Sequence, residues 1–288
     1  MKTRRIIFSI YIKISQSNWD VLSDKYNCDD VFSKSEKTYN AFEVYYNRLI
    51  ECKKAYADIC DVDYILFEDD NDYQQFKIKI KQSLPDITEY NIINFYKFDR
   101  LEYLAEYYDE VLFLDFDVVP FTTDSFFNVW NCKDSFISAS SNTRFKVLQD
   151  FNTLYYSLNF RSPEAKMLNS MLLCQEYDMY VFDLKPYNTG IMGASKELIH
   201  KLNYFEDFEI LLEHMTEITK DKTLPEEWRV GMGWDNETVF GFRVFQRTIP
   251  VKDKLKKWHS IIEEHLPSGI KLGHFIHKNF ELFPEWNK

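Results

Sequence analysis

Glycine is the residue this sequence most lacks. The chain holds seven in 288 residues, where average usage of about 7% would give roughly 20. All seven lie at position 190 or beyond. A G-x-G-x-x-G dinucleotide fingerprint or a G-x-x-x-x-G-K-[ST] P-loop needs glycines at a strand-to-helix turn, so that phosphates can approach bare backbone; neither occurs. Gly231 and Gly233 supply a G-x-G, but Asn236 stands where the third glycine would be. A phosphorylated ligand would therefore have to be neutralised by a metal ion or by basic side chains.

Other shortages exclude further classes. Five cysteines (28, 52, 60, 132 and 174) are odd in number and form no C-x-x-C pair, which argues against a disulfide frame or zinc site and for reduced, partly buried thiols. Lys and Arg total 35 against 46 Asp and Glu, a net charge of −11, which leaves no basic surface for nucleic acid. No apolar run approaches the roughly 18 residues of a membrane span. Met1 to Arg5 followed by the apolar Ile6 to Ile12 has the outline of a signal peptide, but Lys13 ends the run and no small-residue cleavage site follows. The expectation is a soluble, cytoplasmic protein with no transmembrane segment.

Aromatic residues are plentiful, with 25 Phe, 19 Tyr and 6 Trp, and 45% of the chain is hydrophobic, enough for a sizeable core and against disorder. Residues 5–12 read as a buried first strand. Tyr39, Phe42, Tyr45, Tyr46, Leu49, Cys52 and Tyr56 recur at 3–4 spacing and predict a helix over 35–60, its aromatic face turned to the core. Val62 to Phe67 predicts a second strand, closed by Glu68-Asp69-Asp70. After a polar, Lys-rich stretch, residues 98–108 predict a helix and Val111 to Leu114 a third strand. Short strands follow at Phe136 to Ala139 and Tyr180 to Leu184, with helices at 163–175, 196–218 and 252–264; Lys252, Lys254, Lys256 and Lys257 would form a solvated face of the last. Strands alternating with helices imply an α/β fold with a mainly parallel sheet flanked by helices. Without a linker or internal repeat, residues 1–288 read as a single domain.

The most informative segment is Val111-Leu112-Phe113-Leu114-Asp115-Phe116-Asp117-Val118. In an extended strand, residues i and i+2 share a face, so Asp115 and Asp117 would project together. Two carboxylates so close raise one another's pKa unless a cation lies between them, and hard oxygens suit Mg²⁺ or Mn²⁺. The carboxyl end of a parallel strand is also where open α/β sheets place ligands. The plain alternative is that one Asp caps a turn and the other is solvated. A sharper one is a haloacid-dehalogenase-like phosphohydrolase with Asp115 as nucleophile, although that Asp-x-Asp normally opens its chain.

The segment, with Arg100-Leu101 some ten helical residues before it, resembles the Asp-x-Asp region of GT-A fold nucleotide-sugar glycosyltransferases, most closely family eight, the glycogenin and lipopolysaccharide galactosyltransferase type. Tyr187-Asn188-Thr189-Gly190-Ile191-Met192 is similar to that family's Asn-[Ser/Ala]-Gly-[Val/Ile]-[Met/Leu]. Trp234-Asp235-Asn236-Glu237 falls where it carries Asp-Gln-Asp, and Gly273-His274-Phe275-Ile276-His277-Lys278 where it carries H-x-x-G-x-x-K-P-W. The resemblance implies a Rossmann-like GT-A fold with a nucleotide-binding half over 1–120 and a sugar- and acceptor-binding half over 121–288. It implies a metal-dependent hexosyltransferase working with retention on a nucleotide-sugar donor, UDP-linked, and a glycan, lipid-linked or protein acceptor.

Residue by residue, Asp115, Asp117 and His274, with His277 as the alternative, would hold Mn²⁺ or Mg²⁺, and Asp115 would also touch the donor. Arg100 would reach the donor sugar or Asp117, Asn188, Thr189 and Gly190 would line the sugar pocket, and Lys278 would contact the diphosphate. Asp235, Asn236 and Glu237 would lie at the reaction centre, Asp235 or Glu237 serving as general base were the enzyme inverting. The chain departs from the family at His277, which replaces a glycine, at Phe280, which replaces the lysine, and in the loose Phe283-Pro284-Glu285-Trp286 match to Lys-Pro-Trp. Plainer readings stand beside these. His274 and His277 could be structural, Arg100 could pair with Asp99, Glu102 or Glu106, and Asp235 could cap a helix. A silent sugar-nucleotide-binding module would keep the same scaffold.

Overall fold

A computed structural model of the chain describes residues 2–14, 29–140, 163–180, 184–224, 229 and 234–283, with the side chains of 29–37 and 163–165 outside the description. Strand β1 (Arg5–Ile10) lies between β2 (Asp63–Phe67) and β3 (Glu110–Leu114), parallel to both. The sheet continues through β6 (Tyr187–Ser195), β5 (Phe136–Ser140) and β7 (Val251–Lys252), giving the order β2-β1-β3-β6-β5-β7. Of the six strands, β6 alone runs antiparallel to its neighbours. The expected α/β fold with a mainly parallel sheet is thus the fold found. A second, three-stranded sheet joins β4 (Val118–Pro120), β9 (Leu272–His274) and β8 (Ser260–Ile261).

Both faces of the large sheet are covered, which is why β1 and β3 read as unbroken apolar runs rather than alternating ones. Ile6, Phe8 and Ile10 of β1 pack with α2 (Asn71–Ser83), α3 (Glu89–Ala105), α5 (Pro163–Glu176), α6 (Lys196–Leu202), α7 (Phe208–Lys220) and α8 (Asn236–Gln246). Ile7 packs on the opposite face, against Tyr56, Ala57 and Cys60 of α1 (Asp29–Cys60) and Phe126 of α4 (Phe126–Val129). A third cluster ties the middle of α1, through Leu49 and Cys52, to Val119, Ile262 and Phe275 around the small sheet. Cysteines 52, 60, 132 and 174 are buried free thiols; Cys28 lies outside the described residues.

Several expected elements differ. The Lys-rich stretch before Pro85 is helix α2, started by Asp70, whose carboxylate accepts from Tyr73 N at 2.9 Å. Helix α3 begins nine residues earlier than its apolar spacing suggests, capped by Thr88. The 196–218 helix is two helices, because Asn203 and Asp207 adopt left-handed backbone angles (φ 43° and 45°) that end α6 and start α7. The 252–264 helix is absent: Leu255, Trp258 and Ile262 are buried at helical spacing, but the chain there is β7, a 3₁₀ turn at Lys256–Trp258 and β8. Lysines 252, 254, 256 and 257 are exposed as expected. The expected strand at Tyr180 to Leu184 falls largely outside the described residues, and neither end of it is strand.

Tyr204, between α6 and α7, donates its backbone N–H to Glu102 of α3 at 2.9 Å. Burial, the dominant influence, pushes the Glu102 carboxyl up to about 7. A carboxyl raised on folding holds a proton that the unfolded chain releases, so stability falls as pH climbs from about 4.5 to about 7 and the loss is complete above that window. Glu102→Gln keeps an acceptor for Tyr204 without a titrating group. Its melting temperature relative to wild type should rise between pH 5 and pH 8, and a difference that stays constant across that range would contradict the assignment.

Candidate functional site

The Asp-x-Asp sits where the chain leaves the large sheet for the small one. Strand β3 ends at Leu114, and residues 115–117 form a turn closed by Val118 N donating to Asp115 O at 2.9 Å. The two carboxylates therefore meet through a turn, and not through the strand alternation the sequence suggested. Both ends of the turn are pinned. Asp115 N donates to Gly190 O of β6 at 2.7 Å, and Phe275 N donates to Asp117 O at 3.0 Å. The middle residue anchors it from below. The Phe116 ring packs against Tyr11 (4.5 Å), Phe42 (5.4 Å) and Tyr46 (5.6 Å), and its carbonyl accepts from the fully buried ammonium of Lys53 at 2.8 Å.

Pairing of β4 with β9 sets Val118 opposite His274 and so carries the imidazole to the carboxylates. His274 Nε2 lies 3.3 Å from Asp117 Oδ1 and 3.7 Å from Asp115 Oδ2. One donor atom from each of the three residues falls within 4.8 Å of the others. Two carboxylate oxygens and an imidazole nitrogen at that spacing fit a divalent cation, the oxygens suiting Mg²⁺ or Mn²⁺ and the imidazole favouring Mn²⁺. Lysines complete the charge balance. Lys97 Nζ donates to Asp115 Oδ1 at 3.1 Å, and the ammonium of Lys278 bonds Asp117 Oδ2. Burial opposes ionisation of Asp117, but Lys278 and His274 outweigh it and hold the carboxyl well below the usual range. Lys53 is affected the other way: burial lowers its pKa, with Asp117 and Asp115 offsetting part of the effect.

Asp115, Asp117, His274, Lys97 and Lys278 line a cavity of about 330 Å³ that also includes Asn188, Asp235, Asn236 and Glu237. Asn188 Oδ1 accepts from Gly190 N at 2.9 Å, leaving its amide N–H groups as donors. Asp235 is the N-cap of α8, its Oδ2 accepting from Thr238 N at 2.9 Å, and it lines the cavity as well as capping the helix. Glu237 is occupied: Oε1 accepts from Thr189 N at 2.8 Å and Oε2 pairs with Lys166. Burial works against the Glu237 charge, yet Lys166 keeps its pKa lowered, whereas burial and the Glu237 charge raise that of Asp235.

Three expected site residues are placed elsewhere. Arg100 is held by Asp99 and Asp72 and lies over the rings of Phe67, Tyr96 and Tyr103, away from this cavity. The cause is helix direction. Helix α3 leads back to the start of β3, so residues earlier in it lie nearer the carboxyl end of that strand, and Lys97 precedes Arg100 by about 4.5 Å along the helix axis. His277 is exposed and outside the converging donors. Thr189 is buried behind the wall, bonding Asn236 Nδ2 at 2.8 Å. Lys97, Lys166 and Lys53 escaped the sequence reading because nothing in their local spacing separates them from surface lysines. Tyr39 and Phe42 of α1 also face the cavity instead of lying wholly in the core.

No protein-family model and no curated protein matches the chain. Among solved structures, it is similar to a glycosyltransferase involved in glycosylation of the major capsid of PBCV-1, at 12% identity over 94% of this chain and 92% of that one, with a TM-score of 0.41. It is also similar to mouse xyloside xylosyltransferase 1 (8% identity, 94% and 97% covered, TM-score 0.46) and to an active-site mutant of LgtC (12%, 94% and 86%, 0.42). These are likenesses of outline, and the residues of the pocket carry the functional reading.

Gly190 has a specific steric duty in that pocket. A Cβ there would fall 2.7 Å from His274 Nδ1 and closer still to Cε1, so the imidazole rests on bare backbone. Gly190→Ala should push the ring away from the carboxylates and weaken Mn²⁺ binding at least about 10-fold in a calorimetric titration, with little change in melting temperature. Unchanged affinity would show that the ring needs no such seat.

Proposed function

We propose that this chain is a metal-dependent nucleotide-sugar glycosyltransferase of the GT-A type, using a UDP-linked donor and a glycan, lipid-linked or protein acceptor. The observation that supports it best is convergence. Four segments far apart in sequence, 115–117, 188–190, 235–237 and 274–278, were singled out by their resemblance to one family, and each contributes to one cavity or its wall. A chain without phosphate-binding loops thereby gains a place for a diphosphate.

A divalent ion held by Asp115, Asp117 and His274 would supply Lewis-acid stabilisation of the departing diphosphate. The chain's own groups do the rest. Lys97 and Lys278 are the ammonium groups at the carboxylates, and both can turn to phosphate oxygens when a donor enters; Lys97 takes the role first assigned to Arg100. The Asn188 amide donates to sugar hydroxyls, and the Gly190 backbone sets the depth of the sugar pocket. At the reaction centre, Glu237 is spent on Thr189 and Lys166, so its task is to hold β6 against α8. Asp235, whose contacts among the described residues fall on Oδ2, keeps its other oxygen for substrate. Under retention, the acceptor proton passes to the leaving phosphate, and Asp235 stabilises positive charge on the anomeric carbon. No helix of the described residues is long and apolar enough to cross a membrane.

A thermal-shift screen tests this reading. UDP should raise the melting temperature only with Mn²⁺ present, because a ligand that binds only the native state stabilises it. Asp117→Ala should abolish the shift. Lys97→Ala should weaken it, whereas Arg100→Ala should keep the UDP-dependent shift on a lowered baseline. A phosphohydrolase would show no nucleotide response at all, and an equal response to UDP with and without metal would remove the cation from the scheme.

A further inference from the structure

A second histidine stands behind the first. His259 follows the 3₁₀ turn at Lys256–Trp258 and leads into β8, which runs parallel to β9 with Ile261 opposite His274. Its Nε2 lies 3.1 Å from His274 Nδ1, with the ring centroids 5.3 Å apart. Its other ring nitrogen, Nδ1, is sealed from solvent and has no partner among the described residues. The imidazole of His274 is therefore fixed on two sides, by the bare Gly190 backbone and by His259, while its Nε2 is aimed at Asp115 and Asp117.

We infer that His259 is a positioning residue that sets the tautomer of His274. The inference rests on the metal reading of Asp115, Asp117 and His274. A ring nitrogen can ligate only through a free lone pair, so ligation through Nε2 requires the proton on Nδ1. That proton points at His259 Nε2, which must then accept, and the proton of His259 must sit on its own buried Nδ1. The reverse arrangement uses the same heavy-atom positions. There His259 Nε2–H donates to His274 Nδ1, and His274 Nε2–H points at Asp117, giving it a neutral partner and leaving no lone pair for a cation. The two states carry the same number of protons. The histidine pair can thus serve both the vacant and the metal-holding pocket without changing its charge, and His259 supplies the acceptor that the second state needs. An apolar residue at 259 would leave the Nδ1–H of a ligating His274 buried without a partner.

The test compares wild type, His259→Leu and His259→Gln. Free Mn²⁺ is followed by its electron paramagnetic resonance signal during titration, and each variant's melting temperature is recorded without metal. His259→Leu should bind Mn²⁺ about 10- to 100-fold more weakly, the usual effect of removing a partner from a metal-bound histidine. His259→Gln, whose Oε1 can accept the same Nδ1–H, should recover most of that loss; a purely packing role would not be rescued by glutamine over leucine. In ¹⁵N-histidine spectra of the Mg²⁺-loaded wild type, His274 should carry its proton on Nδ1. Full affinity in a folded His259→Leu, glutamine no better than leucine, or a proton on His274 Nε2 in the loaded protein would each overturn the inference and leave the metal site standing. A wild type that binds no Mn²⁺ would overturn the metal reading and this inference with it.

Discussion

Two carboxylates are forced into one turn, and the rest of the site is arranged around that repulsion. At the separations found here, two like charges cost about 3 to 4 kcal/mol at an effective dielectric near 20. The chain meets that cost with Lys97, Lys278 and His274 at the carboxylates and with the buried Lys53 beneath the turn. Each comes from a different element, so the turn gathers α1, α3, β9 and the loop after β9 around the end of β3. On the function proposed, an acidic chain with few glycines would in this way offer a diphosphate a cation instead of a phosphate loop.

The same turn connects fold to function. Because Asp115 bonds Gly190 and Asp117 bonds Phe275, the junction between the two sheets is also the floor of the cavity. The antiparallel strand β6 has two duties. Its outer end presents Asn188 and the bare backbone on which His274 rests, and its interior closes the large sheet against β3 and β5. Glu237 locks the start of α8 to Thr189 on that strand, which sets where Asp235 stands.

Much of this was legible in the sequence for a physical reason. Strands buried on both faces announce themselves as unbroken apolar runs, so β1 and β3 were found near their observed limits; the half-buried β2 and β5 were found from short apolar and β-branched runs, and the acidic interruption after β3 marked the site. Strand β6 was seen only as a motif, because Asn188, Thr189 and the small Gly190, Gly193 and Ala194 carry little strand character. The false helix at 252–264 shows the opposite failure, since Leu255, Trp258 and Ile262 are buried at helical spacing by a chain that is not helical there. The largest displacement from the expected site was one helical turn. Arg100 has the more conspicuous charge, but the direction of α3 gives Lys97 the approach to Asp115. His259 carried no local signal, because its meaning comes from the pairing of β8 with β9, which joins positions separated by a loop.

The decisive property is what leaves the protein when a donor is turned over. Purified chain given a panel of nucleotide sugars should release nucleoside diphosphate from at least one of them in the presence of Mn²⁺, should stop when the metal is chelated, and should resume when Mn²⁺ is restored. Release of inorganic phosphate in its place, or turnover that survives chelation, would contradict a diphosphate-holding metal at Asp115, Asp117 and His274.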